Sequence, residues 1–209
     1  MQIVAINPSR NSQQVWLKFS DGSILPLRID DLVTLKLSKH TDITEEKFNQ
    51  IKNSSAGFLL LEYSLRQIAI SPRVENILRQ KLRIYCQKLI YKYGFSLDLL
   101  SPLVENVIAK LDSQNLLDQQ PYIKYIVRKF PKKSVFELKY LFGRLGINYS
   151  PIQDITAEIT KIKNLITRRY FRVDLTDYYQ RNKLIANLNH KGFPVDLIKT
   201  AIDETVKVR

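Results

Sequence analysis

Apolar positions along the chain change their period once. Over the first 30 residues they alternate. Ile3-Val4-Ala5-Ile6 predicts a short strand, and Gln14 to Phe19 sets Val15, Leu17 and Phe19 against Trp16 and Lys18. Asp21-Gly22 is a hairpin signal, and the return strand runs from Ser23 to Arg28. Pro26 confines that strand to an edge or a bulge, because proline offers no N–H to a ladder. Asp30 is placed to cap a short helix over Asp31 to Leu37. Asp42 with Glu45 makes a capping box for a helix to about Asn53.

From Ser54 onward the spacing is helical. Ser54 or Ser55 can cap a helix carrying Phe58, Leu61, Leu65 and Ile68, and Ser71-Pro72 reads as a cap with proline at the first helical position. The helix it opens runs to Tyr93. Asp98 starts the next, to about Leu111. Pro121 to Phe130 is helical and is stopped by Pro131, after which Ser134 with Glu137 forms another capping box. Residues 150–172 are periodic without an internal division. Asp174 is read as the cap of the helix leading to Gly192, and Val195 to Val206 is the last helix.

One pattern occurs three times, around Gly94, Gly146 and Gly192. Apolar residues stand eight before each glycine (Cys86, Leu138, Leu184) and four before it (Ile90, Phe142, Leu188). Others follow one, three and six after it. A helix that closes on a left-handed glycine, with the next helix starting at once, leaves this spacing. The interval suits a three-helix unit. The fold class expected is therefore mainly α, with tandem three-helix repeats forming a curved array behind a small N-terminal β-hairpin and helix module. The expected divisions are 1–53 for the module, then 54–115, 116–160 and 161–209 for the repeats.

Charge alters this picture more than composition does. The net charge is +13, yet residues 1–50 hold six basic and six acidic side chains. The excess thus lies on the repeats, which favours a polyanion or an acidic protein surface as partner. Three clusters carry it. Arg79, Lys81, Arg83, Lys88 and Lys92 lie along one helix, and Arg128, Lys129, Lys132 and Lys133 sit at a helix junction with Arg144 beyond. Lys161, Lys163, Arg168, Arg169 and Arg172 precede the third unit. Each cation alone reads as a solvated face; their recurrence reads as a basic stripe that reaches phosphates without reading bases. Tyr85, Tyr91, Tyr93, Tyr122, Tyr125, Tyr170, Phe171, Tyr178 and Tyr179 interleave with them, as core edges or as stacking platforms.

Catalytic chemistry finds no foothold. There is no phosphate-binding glycine loop and no nucleophile elbow. One cysteine and two histidines make no familiar zinc site, so no metal and no cofactor are expected. Cys86 takes the register of Leu138 and Leu184 and reads as a small buried hydrophobe. Trp16 sits opposite Val15, Leu17 and Phe19, either packed on a helix or open to a partner. No apolar run is long enough for a membrane span and no signal peptide is visible, so a reducing cytoplasm is expected.

Leu116-Leu117-Asp118, then Tyr122, Val127, Arg128 and Lys129, followed by Ser134, Leu138 and Gly146-Ile147, resemble the RecX family. The resemblance extends to all three units and the N-terminal hairpin. Three departures stand out. Ser71 lies 23 residues before its glycine where Ser134 lies 12 before Gly146; Gln119 and Gln120 replace usual acidic residues; and Ala69-Ile70-Ser71-Pro72 replaces an arginine-proline stretch. The resemblance implies a non-enzymatic regulator of the RecA recombinase filament, acting in homologous recombination, DNA repair and the SOS response. It would lie in the filament groove on single-stranded DNA and restrain ATPase, strand-exchange and co-protease activities. RecA is then the partner, with single- or double-stranded DNA beside it, no membrane, and a monomeric protein. The alternative is a stand-alone nucleic-acid-binding helical module.

Overall fold

The computed structural model describes residues 1–9, 13–150 and 154–207. Three strands, β1 (Ile3–Pro8), β2 (Gln14–Phe19) and β3 (Ile24–Arg28), form an antiparallel sheet in the order β1-β2-β3. Asn7, Trp16 and Pro26 share one row across it, and Ala5, Lys18 and Ile24 share the next row on the same face. Pro26 is on an edge strand, as its missing N–H demands. Everything after the sheet is helical. The chain divides into two compact units, Met1–Gln119 and Gln120–Arg209.

In the first unit the sheet's inner face, Val15, Leu17, Phe19, Leu25 and Leu27, is buried on α2 (Glu45–Ile70). Phe19 meets Phe48 edge to face at 5.1 Å. The spacing predicts two helices here, meeting near Asn53, but α2 is one helix of 26 residues. Ser54 and Ser55 lie inside it and cap nothing. Ser55 and Ala56 are fully buried, and a Cβ on Gly57 would come within 3.9 Å of Leu103. Small side chains at mid-helix let α4 (Leu97–Ser113) approach closely, so continuing the helix buries more than breaking it would. The sheet, α2, α3 (Glu75–Tyr93) and α4 consequently share one continuous core, and the expected boundary at 53/54 falls within a helix.

In the first unit the expected helix starts moved by one to a few residues. The first short helix, α1, spans Ile29–Thr34 behind Arg28, and Asp30 pairs with Arg28 at 3.0 Å rather than capping. Thr44, not Asp42, caps α2, accepting from the Lys47 N–H at 3.2 Å, while Asp42 bridges Gln2 at the sheet. Ser71 is buried at the end of α2, and Val74, 3% exposed and extended, precedes α3. Ser96 caps α4 through the Leu99 N–H, so the helix starts at Leu97, one residue before the expected Asp98.

The second unit holds α5 (Gln119–Lys129), α6 (Val135–Gly143), α7 (Ile155–Arg169), α8 (Tyr178–His190) and α9 (Val195–Val206). Tyr122, Phe142 and Tyr149 make a small aromatic cluster, and Ile126, Leu138 and Ile147 of the same stretch are buried. Ile162, Ile166, Leu184, Leu188, Phe193, Ile198 and Ile202 make another. Ser134 caps α6 as expected, accepting from the Glu137 N–H at 3.1 Å. Asp177 rather than Asp174 caps α8; Asp174 instead closes a turn onto the Thr176 N–H at 2.9 Å. The undivided stretch 150–172 contains one helix, α7, and part of it lies outside the described residues.

The three glycines are left-handed as expected, with φ of 64°, 70° and 77° at Gly94, Gly146 and Gly192. The next residue, Phe95, Ile147 or Phe193, is buried each time. The registers still differ. Gly94 directly follows α3 and donates to the Ile90 carbonyl at 2.9 Å, whereas Ile147 and Phe193 donate to Phe142 and Leu188 carbonyls across wider turns. That change of phase exposes Ile90 but buries Phe142 and Leu188. Cys86 is buried beside Leu82 and Leu89, and burial pushes its thiol pKa up.

Gly192 is further constrained by packing. A Cβ there would meet Ser134 Oγ at 2.8 Å and Phe136 Cδ1 at 3.0 Å, whereas at Gly94 it would meet open space. Gly192→Ala should therefore lose more stability than Gly94→Ala, whose cost is the roughly 1–2 kcal/mol of left-handed strain alone. Urea unfolding followed by far-ultraviolet circular dichroism measures both; equal losses would show that Ser134 yields freely.

Candidate functional site

The cations singled out in the sequence divide by what they touch. On α3 the buried line is Leu78, Leu82, Cys86 and Leu89. At 100° per residue, Lys81, Lys88 and Lys92 fall on one flank of that line and Arg79 and Arg83 on the other. Arg79 is held by two carboxylates, Glu75 at 2.8 Å and Glu105 of α4. Hydrogen bonds to Glu105 and then Glu75 raise its pKa, and Arg79 in turn lowers that of Glu105. Arg79 is a structural link between α3 and α4. Arg83, Lys88 and Lys92 are exposed and make no ion pair among the described residues.

The second unit repeats the division. Lys133 pairs with Glu137 at 3.3 Å, Lys163 with Glu204 of α9, and Lys161 with Glu158 at 2.6 Å. Arg128, Lys129, Lys132 and Arg144 are exposed without an ion pair among the described residues, as are Arg168, Arg169 and Arg172 around the end of α7. Lys129 lies near the Tyr125 hydroxyl at 3.3 Å, and the Arg172 guanidinium sits 5.2 Å from the Phe171 ring centre. The aromatics divide too. Tyr122 is buried, and Tyr85 stacks on Tyr63 with centroids 4.1 Å apart, where burial raises its pKa. Tyr91, Phe171, Tyr178 and Tyr179 are open to solvent.

Glu158 is the residue the sequence reading missed. It is 6% exposed, on the same line of α7 as Ile162, Leu165 and Ile166. A carboxylate four residues before Ile162 on an apolar stripe was the available signal. Its charge is met by Lys161 and by the N-terminus of α6, with Val135 N 3.5 Å from Glu158 Oε2. Lys161 also reaches the Lys133 carbonyl at 3.5 Å, and Ser134 Oγ donates to the Lys191 carbonyl at 2.8 Å. Burial, with the field of Glu158 behind it, raises the pKa of Tyr149. Beside this network a groove of about 580 Å³ runs past Phe136, Phe193 and Leu197.

Among the described residues no three histidine, cysteine or acidic side chains gather as a metal site would need, and no helix is long and apolar enough to cross a membrane. Two classes of lysine should separate by stability. Lys161→Ala leaves a buried carboxylate short of a partner and should cost about 1.5–3 kcal/mol, regained in part when Glu158→Gln is added. Lys88→Ala should stay within about 0.5 kcal/mol. Denaturant titration of the three variants measures this.

No family model matches the chain. Its sequence is similar to the regulatory protein RecX of Clostridioides difficile (strain 630), with 25% identity over 207 residues, spanning 93% of this chain and 91% of that protein. RecX of Streptococcus pneumoniae (strain Hungary19A-6) is 22% identical over 197 residues, 90% of this chain and 71% of its own. A solved structure described as the crystal structure of regulatory protein RecX shares the fold. It superposes with a TM-score of 0.64 at 20% identity, over 97% of this chain and 98% of that one. The resemblance expected from the leucine-leucine-aspartate turn and the glycine-isoleucine closure is thereby borne out. In sequence along almost its whole length, and in fold, the chain is similar to the regulatory proteins RecX.

Proposed function

We propose that the chain is a non-enzymatic regulator of a RecA recombinase filament, binding it on single-stranded DNA and restraining its ATPase, strand-exchange and co-protease activities. Its setting is homologous recombination, DNA repair and the SOS response, in the cytoplasm, with the protein acting as a monomer. The similarity over nine-tenths of the chain to proteins named as regulatory carries this reading. The cations left without carboxylate partners support it, because a filament on DNA offers both phosphates and acidic surface. The contact residues proposed are Lys81, Arg83, Lys88 and Lys92 in the first unit. In the second they are Arg128, Lys129, Lys132, Arg144, Arg168, Arg169 and Arg172. Arg79, Lys133, Lys161 and Lys163 are assigned instead to holding the fold, since each already has a carboxylate. Three repeats remain the proposed units of engagement, although the expected divisions 54–115, 116–160 and 161–209 cut α2 at 53/54 and α7 at 160/161.

The same exposed cations also favour a second reading, direct binding to nucleic acid without a protein partner. Salt distinguishes the two, since bare phosphate contacts weaken steeply as salt rises. On the first reading, sub-stoichiometric protein lowers the single-strand-dependent ATPase of the cognate RecA. Combined alanine substitution of Arg128, Lys129 and Lys132 should raise the half-inhibitory concentration several-fold with the circular dichroism spectrum unchanged. An unaffected ATPase would reject the regulator, and unchanged potency of the triple variant would clear those three residues.

A further inference from the structure

The outer face of the sheet carries a groove that the basic clusters do not account for. It holds about 670 Å³ and lies wholly in the first unit, between the β2–β3 hairpin and the end of α3. Trp16 and Lys18, on the strand face opposite the core, form one wall, and Lys92 and Tyr93 form the other. Asn7 shares the row of Trp16, and Ser23 and Ile24 stand at the hairpin end. Among the described residues no carboxylate lines the groove. Asp21, at the hairpin tip, turns its carboxylate to the Ser23 N–H at 2.9 Å and hydroxyl at 2.7 Å. Lys18 and Lys92 make no ion pair among the described residues; the Lys92 ammonium rests 5.1 Å from the Tyr93 ring centre.

Each part has a physical reading. Trp16 is half-buried and lines the groove, with Lys92 and Tyr93 of α3 lining it too. The groove's size falls within the roughly 300–1,000 Å³ of small-ligand sites. Flat rings beside unpaired cations favour a planar aromatic group joined to an anion. An aliphatic chain gains nothing from ring geometry, and a cation is repelled by both lysines. A base stacks on any aromatic face while its phosphates meet the ammonium groups, and this requires no particular base. Asn7 and Ser23 offer both donors and acceptors to a base edge.

We propose that this groove binds single-stranded nucleic acid, with a base stacked on Trp16 and flanking phosphates on Lys18 and Lys92. It rests on the second reading, direct binding to nucleic acid, and deepens it by naming a site between the sheet and the end of α3; only Lys92 is shared with the cations proposed above.

Trp16 is the one tryptophan of the chain, so its emission reports on this groove alone. Titrating the full-length protein with a short oligothymidylate at low salt should quench that emission to saturation. The affinity read from it should match the anisotropy of a labelled oligonucleotide. Lys18→Ala and Lys92→Ala should each lower the affinity and flatten the dependence of log affinity on log salt by about 0.7. Trp16→Ala should weaken binding in the anisotropy assay by roughly fivefold or more. Should that variant fail to fold, the two exposed lysines still test the site. Absence of binding overturns the proposal, and so does binding that leaves Trp16 emission unchanged. Equal quenching by polyglutamate at the same ionic strength also overturns it, since the groove would then be a site for acidic polypeptide. None of these outcomes touches the filament reading, which rests on the ATPase of RecA.

Discussion

A left-handed glycine followed at once by a buried apolar side chain is the constraint on which each helical unit depends. Phe95, Ile147 and Phe193 can enter their cores only if the backbone reverses within one to three residues of the helix end. A side chain at the turning residue resists that reversal, because the left-handed region crowds a Cβ against the following carbonyl. The consequence is a chain of short helices, each burying one face. Short helices in water owe their stability to such packing more than to propensity. At Gly192 the constraint is doubled, since Ser134 and Phe136 occupy the space where a Cβ would stand.

Ser134 and Glu158 show how polar groups are admitted into this packing. The Ser134 hydroxyl accepts from the start of α6 and donates to the Lys191 carbonyl, so one buried group satisfies two ends. Glu158 lies against the same helix start, with Lys161 completing its neutralisation. A buried carboxylate without such company would carry a large desolvation cost. The neighbouring cations are thereby committed to structure, and so is Arg79 between two carboxylates in the first unit. What remains on the surface is a smaller set of cations than the count of lysine and arginine suggests. Those are the ones free to meet an anionic partner.

In the first unit the sheet and the helices are not separate modules. α2 runs beneath the sheet and on between α3 and α4, and a single core passes through all of them. Its small residues Ser55, Ala56 and Gly57 allow that closeness. Because the sheet's inner face is consumed by this packing, its outer face, with Trp16 and Lys18, is left to line the groove beside Lys92 and Tyr93.

Much of this was legible in the sequence. Periodicity determined β2 and α9 to the residue, the left-handed glycines, the burial of Cys86, and the edge position of Pro26. These are local matters, fixed by dihedral preference and by which face of an element is apolar. Cap residues were less legible, because Thr44 and Asp42, or Asp177 and Asp174, all have the right chemistry. Which one caps depends on where neighbouring apolar residues are anchored. Tertiary structure alone decided that α2 is continuous, that Glu158 is buried, and that Lys92 and Tyr93 stand opposite Trp16 some 75 residues away. It also decided which cations are spent on Glu105, Glu158 and Glu204 and which are free. The reason is physical: a local pattern specifies which face is buried, but partners across a core are chosen by the packing of elements distant in sequence.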